Sequence, residues 1–206
     1  MNRRNILLAG AAGAFAFSPV LPGFTVSAWA ANPAESFVSD NIQRGFDIIN
    51  DRGASAADRK ARFADFLIGL TDVKRVALFL LGRYAATATP ADIDAYVAAY
   101  QEYVQSVYQS YFALYNGQSL RVIDSRERAP NDFVVRTNVT SANAAELQVD
   151  FRVRTDGARP VLVDMAVAGI WLALAQRDQF LAVLAQYNGD VKALSTHLRD
   201  RAKLYR

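Results

Sequence analysis

The 206-residue sequence contains no cysteine. No disulfide can therefore staple the fold, and no thiolate is available as nucleophile or metal ligand. Histidine is nearly absent too. The single one, His197, sits beside Arg199, Asp200 and Arg201 in a charged C-terminal segment, where a solvated surface residue is the ordinary outcome. One histidine cannot build a histidine-based metal centre, and the carboxylates show no ligand spacing. No G-x-S-x-G, P-loop or G-x-G-x-x-G pattern occurs. Long apolar runs are missing beyond the N-terminus: Met165 to Ala175, the longest, has eleven residues, short of a membrane span. An excess of one charge is lacking as well. The formal charge is +3, but Arg3 and Arg4 supply two of the 23 basic residues and no acid precedes Glu35, so residues 31–206 carry 21 basic against 20 acidic. That balance gives nucleic acid no electrostatic handle.

What the N-terminus does have is an export signal. Arg3 and Arg4 form a basic head, Ile6 to Phe17 an apolar core, and Ala28-Trp29-Ala30 a small-residue cleavage site, so residues 1–30 read as a signal peptide cut near Ala30. Paired arginines ahead of Ile6-Leu7-Leu8, with Gly10 and Gly13 in the core, suit twin-arginine export. Asn2 stands where that signal usually has Ser or Thr, which leaves the general secretory route open. Residues 31–206 then form one exported domain of about 175 residues.

Helical spacing dominates the first half. Pro33 suits a first turn, and Phe37, Ile42, Phe46 and Ile49 keep a 3.6-residue period up to Arg52-Gly53. Ser55 and Asp58 resemble a capping box ahead of Phe63, Phe66, Leu67 and Leu70. Asp72 can cap a third helix through Val73, Val76, Leu80 and Tyr84, and Thr89-Pro90 opens the longest, to about Tyr115 before Asn116-Gly117. From Gln118 the period falls to two: Val134-Val135 to Val139, then Leu147, Val149, Phe151 and Val153, then Val161, Val163, Met165 and Val167. Gln148, Asp150, Arg152 and Arg154 alternate with the second set, the pattern of a sheet with one dry face and one wet face. Asp156-Gly157 marks a hairpin. After Gly169 the helical period returns in two segments separated by Asn188-Gly189. The expectation is an α+β fold: four helices, an antiparallel sheet of about four strands, and two closing helices. Helices over the apolar face of a curved sheet can leave a cavity, but periodicity does not separate a filled core from an open one.

Two features invite a chemical reading. Asp164 is the one carboxylate within an apolar strand, and a buried aspartate beside a sheet can act as a general base in isomerase-type cone folds. Alternation, however, sets it opposite Val163 and Met165. The long helix carries Tyr96, Tyr100, Tyr103, Tyr108, Tyr111, Phe112 and Tyr115. These fit either an ordinary core helix or a cavity lining, since tyrosine offers an apolar body with a polar tip.

At this helix Ala77-Leu78-Phe79-Leu80-Leu81-Gly82-Arg83-Tyr84, Ala88-Thr89-Pro90-Ala91, the tyrosines, and Tyr115-Asn116-Gly117-Gln118 carry a resemblance to the MlaC (toluene-tolerance) family. It continues in Val163-Asp164-Met165 through Ala168-Gly169-Ile170, in Gln176-Arg177-Asp178-Gln179-Phe180, and in Asp190-Val191-Lys192-Ala193-Leu194. The resemblance implies an NTF2-like or cystatin-like sheet wrapped by about six helices around a lipid cavity. It also implies a periplasmic, monomeric carrier rather than an enzyme, with phospholipid as cargo and no cofactor. The implied partners are an inner-membrane ABC transporter with an MCE-domain subunit and an outer-membrane lipoprotein complex, the setting that maintains outer-membrane asymmetry. Trp171 departs from the family, where a serine is common; a branch associated with hopanoid synthesis offers an alternative cargo. Overlaying the aromatic helix on the apolar strand face predicts a lipid lining of Val76, Leu80, Tyr100, Val104, Tyr108, Phe112, Val149, Phe151, Val163, Met165, Val167 and Trp171. Asp164 is expected to accept backbone N–H bonds at the strand end rather than to catalyse.

Overall fold

The first four α-helices start where a capping side chain places them. In the computed structural model, which describes residues 32–112, 115–141 and 144–205, α1 (Pro33–Ile49) opens on Asn32, whose side chain accepts from the Glu35 N–H, with Pro33 in the first turn. Ser55 accepts from the Asp58 N–H at the head of α2 (Ala56–Leu70). Asp72 does the same for Arg75 at α3 (Val73–Leu81), and Thr89 for Asp92 at α4 (Pro90–Phe112). A 3₁₀ turn, Gly82–Ala86, joins α3 to the α4 approach. The expected signal segment, residues 1–30, lies outside the described residues, as does the Tyr111 side chain; those described fall in one compact unit, residues 31–206.

The sheet has five antiparallel strands in sequential order: β1 (Ser119–Ala129), β2 (Asp132–Ser141), β3 (Ala144–Arg154), β4 (Val161–Val167) and the two-residue β5 (Ile170–Trp171). The α+β expectation holds, with one strand more than the approximate four. The strands that no periodic set marked are β1, whose polar-rich SLRVIDSRERA hides its period behind two register shifts, and β5, too short to show one. β3 and β4 form the expected hairpin around Asp156-Gly157.

Two apolar layers result. On one face of the sheet α1 packs Ala34 and Val38 against Val135 and Val153. Beside the sheet, α3, α4, α5 (Leu172–Gln186) and α6 (Val191–Lys203) enclose a second core around Leu80, Tyr96, Leu184, Leu194 and Leu198. β4 joins the two, since α3 and α5 pack against it and the Asp72 N–H donates to the Leu162 carbonyl at 3.0 Å. No helix among the described residues is long and apolar enough to cross a membrane.

β4 contains a β-bulge that strand periodicity cannot reveal. Arg152 pairs with Asp164 while Val153 pairs with Leu162, leaving Val163 without a partner. Leu162 and Met165 consequently share the face of Phe151, while Val163 and Asp164 turn to the other side. The expected single apolar row Val161–Val163–Met165–Val167 is thus split across the two faces.

Candidate functional site

The apolar spacing of α1 and α2 leaves space between them and the sheet. Val38, Asn41, Ile42, Gly45, Phe46 and Ile49 recur every three or four residues along one face of α1, as Phe63, Phe66, Leu67 and Leu70 do along α2. With Phe37, and with Leu120, Phe151, Leu162 and Met165 from the strands, they line a cavity of about 230 Å³. Twelve of these fifteen residues are only half-buried although they face one another. Gly45 keeps the passage open: a methyl group there would come within 3.5 Å of the Phe66 ring and 3.7 Å of Phe63. Asn41 is the one polar lining residue, and its amide is engaged, donating to the Phe37 carbonyl at 2.7 Å and accepting from Arg44 at 3.4 Å. No acid, base or nucleophile faces this space. Its chemistry is confined to holding something apolar.

The expected lining divides. Phe151 and Met165 line the cavity. Val149 and Val167 pair with each other on the same face, one row further along, outside the lining. Phe112 is half-buried with its ring 6.2 Å from that of Phe63. Leu80, Tyr100 and Val104 belong instead to the helical core, with Tyr108 packed against it. The reason is that α4 packs on α6, α2 and α3 rather than over the sheet. The Tyr96 hydroxyl donates to the Ala77 carbonyl and that of Tyr100 to Gln176 Oε1, each at 3.2 Å, while Tyr100 meets the Phe180 ring edge-on. Burial drives both hydroxyl pKa values upward. Val76 and Val163 line a separate cleft, and Trp171 pairs with Ala166 on the face away from Phe151 and Met165. The helical wall of the cavity therefore comes from α1 and α2, whose phenylalanines Phe37, Phe46, Phe63 and Phe66 were the unused signal.

Residues 39–200 match the family model described as MlaC protein. The chain belongs to the MlaC family. The same fold occurs in a phospholipid-binding protein from Ralstonia solanacearum solved in complex with a phospholipid, at 22% identity and a TM-score of 0.72, over 84% of this chain and 98% of that one. The α+β architecture of this MlaC-family chain is that of the Ralstonia protein.

On the opposite face of the sheet this MlaC-family chain has a second cleft, of about 290 Å³, lined by Arg75, Val76, Phe79, Arg152, Arg154, Val163, Asp164 and Ala173. Its charges are largely paired. Arg152 grips Asp132 through two bonds of 2.9 and 2.7 Å, which holds that carboxyl below its ordinary pKa. Arg154 reaches Asp156 at 2.6 Å, and this contact together with Arg75 holds Asp156 low. Asp164 accepts from the backbone N–H groups of Met165 and Ala173 as expected, but from the middle of β4 and not from its end. Burial nevertheless raises its pKa, against the lowering pull of those bonds and of Arg152. No group of three His, Cys, Asp or Glu among the described residues could hold a metal.

Proposed function

We propose that this protein is a periplasmic phospholipid carrier whose cargo's acyl chains lie between α1, α2 and the sheet. The carrying observation is the cavity itself: fourteen of its fifteen lining residues are apolar or glycine, and twelve are left only half-covered in the folded chain. Apolar surface held open in this way costs stability unless something apolar fills it. The match in fold to a protein that holds phospholipid supports the reading, as does the N-terminal pattern Arg3-Arg4 to Ala30 for export.

The energetics require such a site. At about 0.8 kcal/mol per methylene, two acyl chains of roughly thirty methylenes resist entering water by some 20 kcal/mol or more. A carrier must match that with its own apolar surface. The cavity, at about 230 Å³, is smaller than the roughly 300–1,000 Å³ of sites for drug-sized ligands, so full occupancy requires α1 and α2 to move outward. The carrier works without catalysis: the cavity presents no reactive group, and Asp164 lies on the other side of the sheet with one oxygen committed to two N–H groups. Exchange with an inner-membrane ABC transporter bearing an MCE-domain subunit and with an outer-membrane lipoprotein complex is the role we assign it. Trp171, the departure from the family, stands on the face away from the cavity and so does not reshape it for a flatter cargo. Phospholipid is accordingly the cargo proposed.

Native mass spectrometry of protein purified from its own periplasm tests this. The expected result is a one-to-one complex that releases phospholipid on extraction; protein free of lipid, with a cavity that takes up none from vesicles, would overturn the reading.

A further inference from the structure

The cavity face of the sheet closes differently at its two ends. Strand register sorts that face into cross-strand rows, with successive rows about 7 Å apart along a strand. At one end α1 is latched by polar bonds: the Ser125 hydroxyl donates to Glu35 at 2.9 Å and accepts from the Asn32 amide. The last row there carries Glu127. At the other end the rows themselves are apolar. The last two rows run Leu120–Val139–Leu147 and Val122–Thr137–Val149–Val167–Ile170. Thr137 is their one polar member, and its hydroxyl is spent on the Val149 carbonyl at 2.7 Å.

Exposure changes abruptly along these rows. Val149 is 7% exposed, yet Leu147, two residues away on the same face, is 40% exposed and Ile170 61%. The apolar surface is continuous with the cavity, because Leu120 lines the cavity and shares the outermost row with Leu147, while Phe151 and Met165 adjoin Val149 and Val167. Phe46, which lines the cavity from the last turns of α1, lies 6.0 Å from Tyr115, ring to ring.

We infer that acyl chains enter and leave the cavity at the Leu147–Ile170 end of the sheet, along these two apolar rows. The inference rests on the carrier reading above and specifies where its cargo passes. The occupant is the acyl chain in transit, because only an apolar chain gains from a charge-free track that joins a buried cavity to solvent. The latched end cannot serve, since a methylene chain passing it would strip Ser125, Glu35 and Asn32 of their hydrogen bonds.

The cysteine-free chain permits a test within one folded protein. Ile170→Cys, and separately Leu147→Cys, is treated with a charged methanethiosulfonate, and transfer of fluorescent phosphatidylethanolamine between phosphatidylethanolamine–phosphatidylglycerol vesicles is timed. The expected slowing is about ten-fold or more, since the sulfonate sits in the path of an apolar chain, and reduction of the adduct restores the rate. Lipid already bound, counted by native mass spectrometry, should be unchanged, and Tyr187→Cys, exposed beyond α5, should transfer normally after the same treatment. Rates unaffected at both positions in a protein that carries lipid would overturn the portal alone. A wild-type protein that carries no lipid would remove the carrier reading and the portal together.

Discussion

Asp164 holds the backbone N–H of Ala173 at 2.9 Å, and so ties the middle of β4 to the first turn of α5. The same oxygen accepts from Met165 at 2.8 Å. The arrangement neutralises part of the positive end of the α5 dipole and satisfies an N–H that the helix cannot.

Substituting Asp164 should therefore change stability and not cargo. Asp164→Ala is expected to cost about 1–3 kcal/mol, because two N–H groups lose their acceptor, and Asp164→Asn less. The pH dependence has a definite sign. Burial raises the Asp164 pKa, so its contribution is fully present below the unfolded value of about 3.9 and declines as pH rises through the folded value. Asp132, held low by Arg152, behaves oppositely: its contribution is present above about 3.9 and is lost as pH falls through the folded value. Urea melts from pH 3 to 7 should show the Asp164→Asn deficit largest in acid and the Asp132→Asn deficit largest near neutrality. Parallel trends in the two variants would contradict these assignments.

Gly45 offers a direct test of the cavity. Its added methyl would make ordinary contacts with Phe66 and Phe63, and replacing a mid-helix glycine by alanine stabilises by up to about 1 kcal/mol. Gly45→Ala should raise the melting point of lipid-free protein. Gly45→Leu should fold but expel cargo, because its side chain projects into the space between α1 and α2. The check is bound phospholipid per protein beside thermal melts; full lipid occupancy in Gly45→Leu would place the cargo elsewhere.

Tyr100 and Trp171 should prove indifferent to lipid. Tyr100→Phe removes the bond to Gln176 at an expected cost of about 0.5–1.5 kcal/mol, with cargo composition unchanged. Trp171→Ser should destabilise lipid-bound and lipid-free protein equally, since the indole faces away from the cavity. Altered acyl composition in either variant, read by mass spectrometry, would return these residues to the site.

Local chemistry is why Pro33, Ser55–Asp58, Asp72 and Thr89-Pro90 announced four helices from sequence alone, while the Asn32 cap went unread. The alternation of β3 likewise revealed a sheet with one apolar face. The site was less legible because it depends on which helix covers that face, a long-range choice with no local signature. The tyrosines of α4 drew the cavity towards that helix, yet Tyr96 finds a buried acceptor in the Ala77 carbonyl and Tyr100 a half-buried one in Gln176. A single unpaired residue, Val163, was enough to send two predicted neighbours to opposite faces, and a period of two contains no mark of such an insertion.

The edges of the sheet have a consequence for how copies of this chain behave when crowded. β1 is an outer strand of eleven residues, but its register breaks at Ile123 and again at Arg128, and Arg121, Arg126 and Arg128 stand exposed along it. The far side of β4 is covered at Leu162 by Thr71 and Asp72 and at Ala166 and Val167 by the two residues of β5. An incoming strand needs a straight ladder of free N–H and C=O groups. One margin is kinked and lined with charged side chains and the other is already covered in part, so this apolar-rich chain is protected from adding strand to strand into fibres.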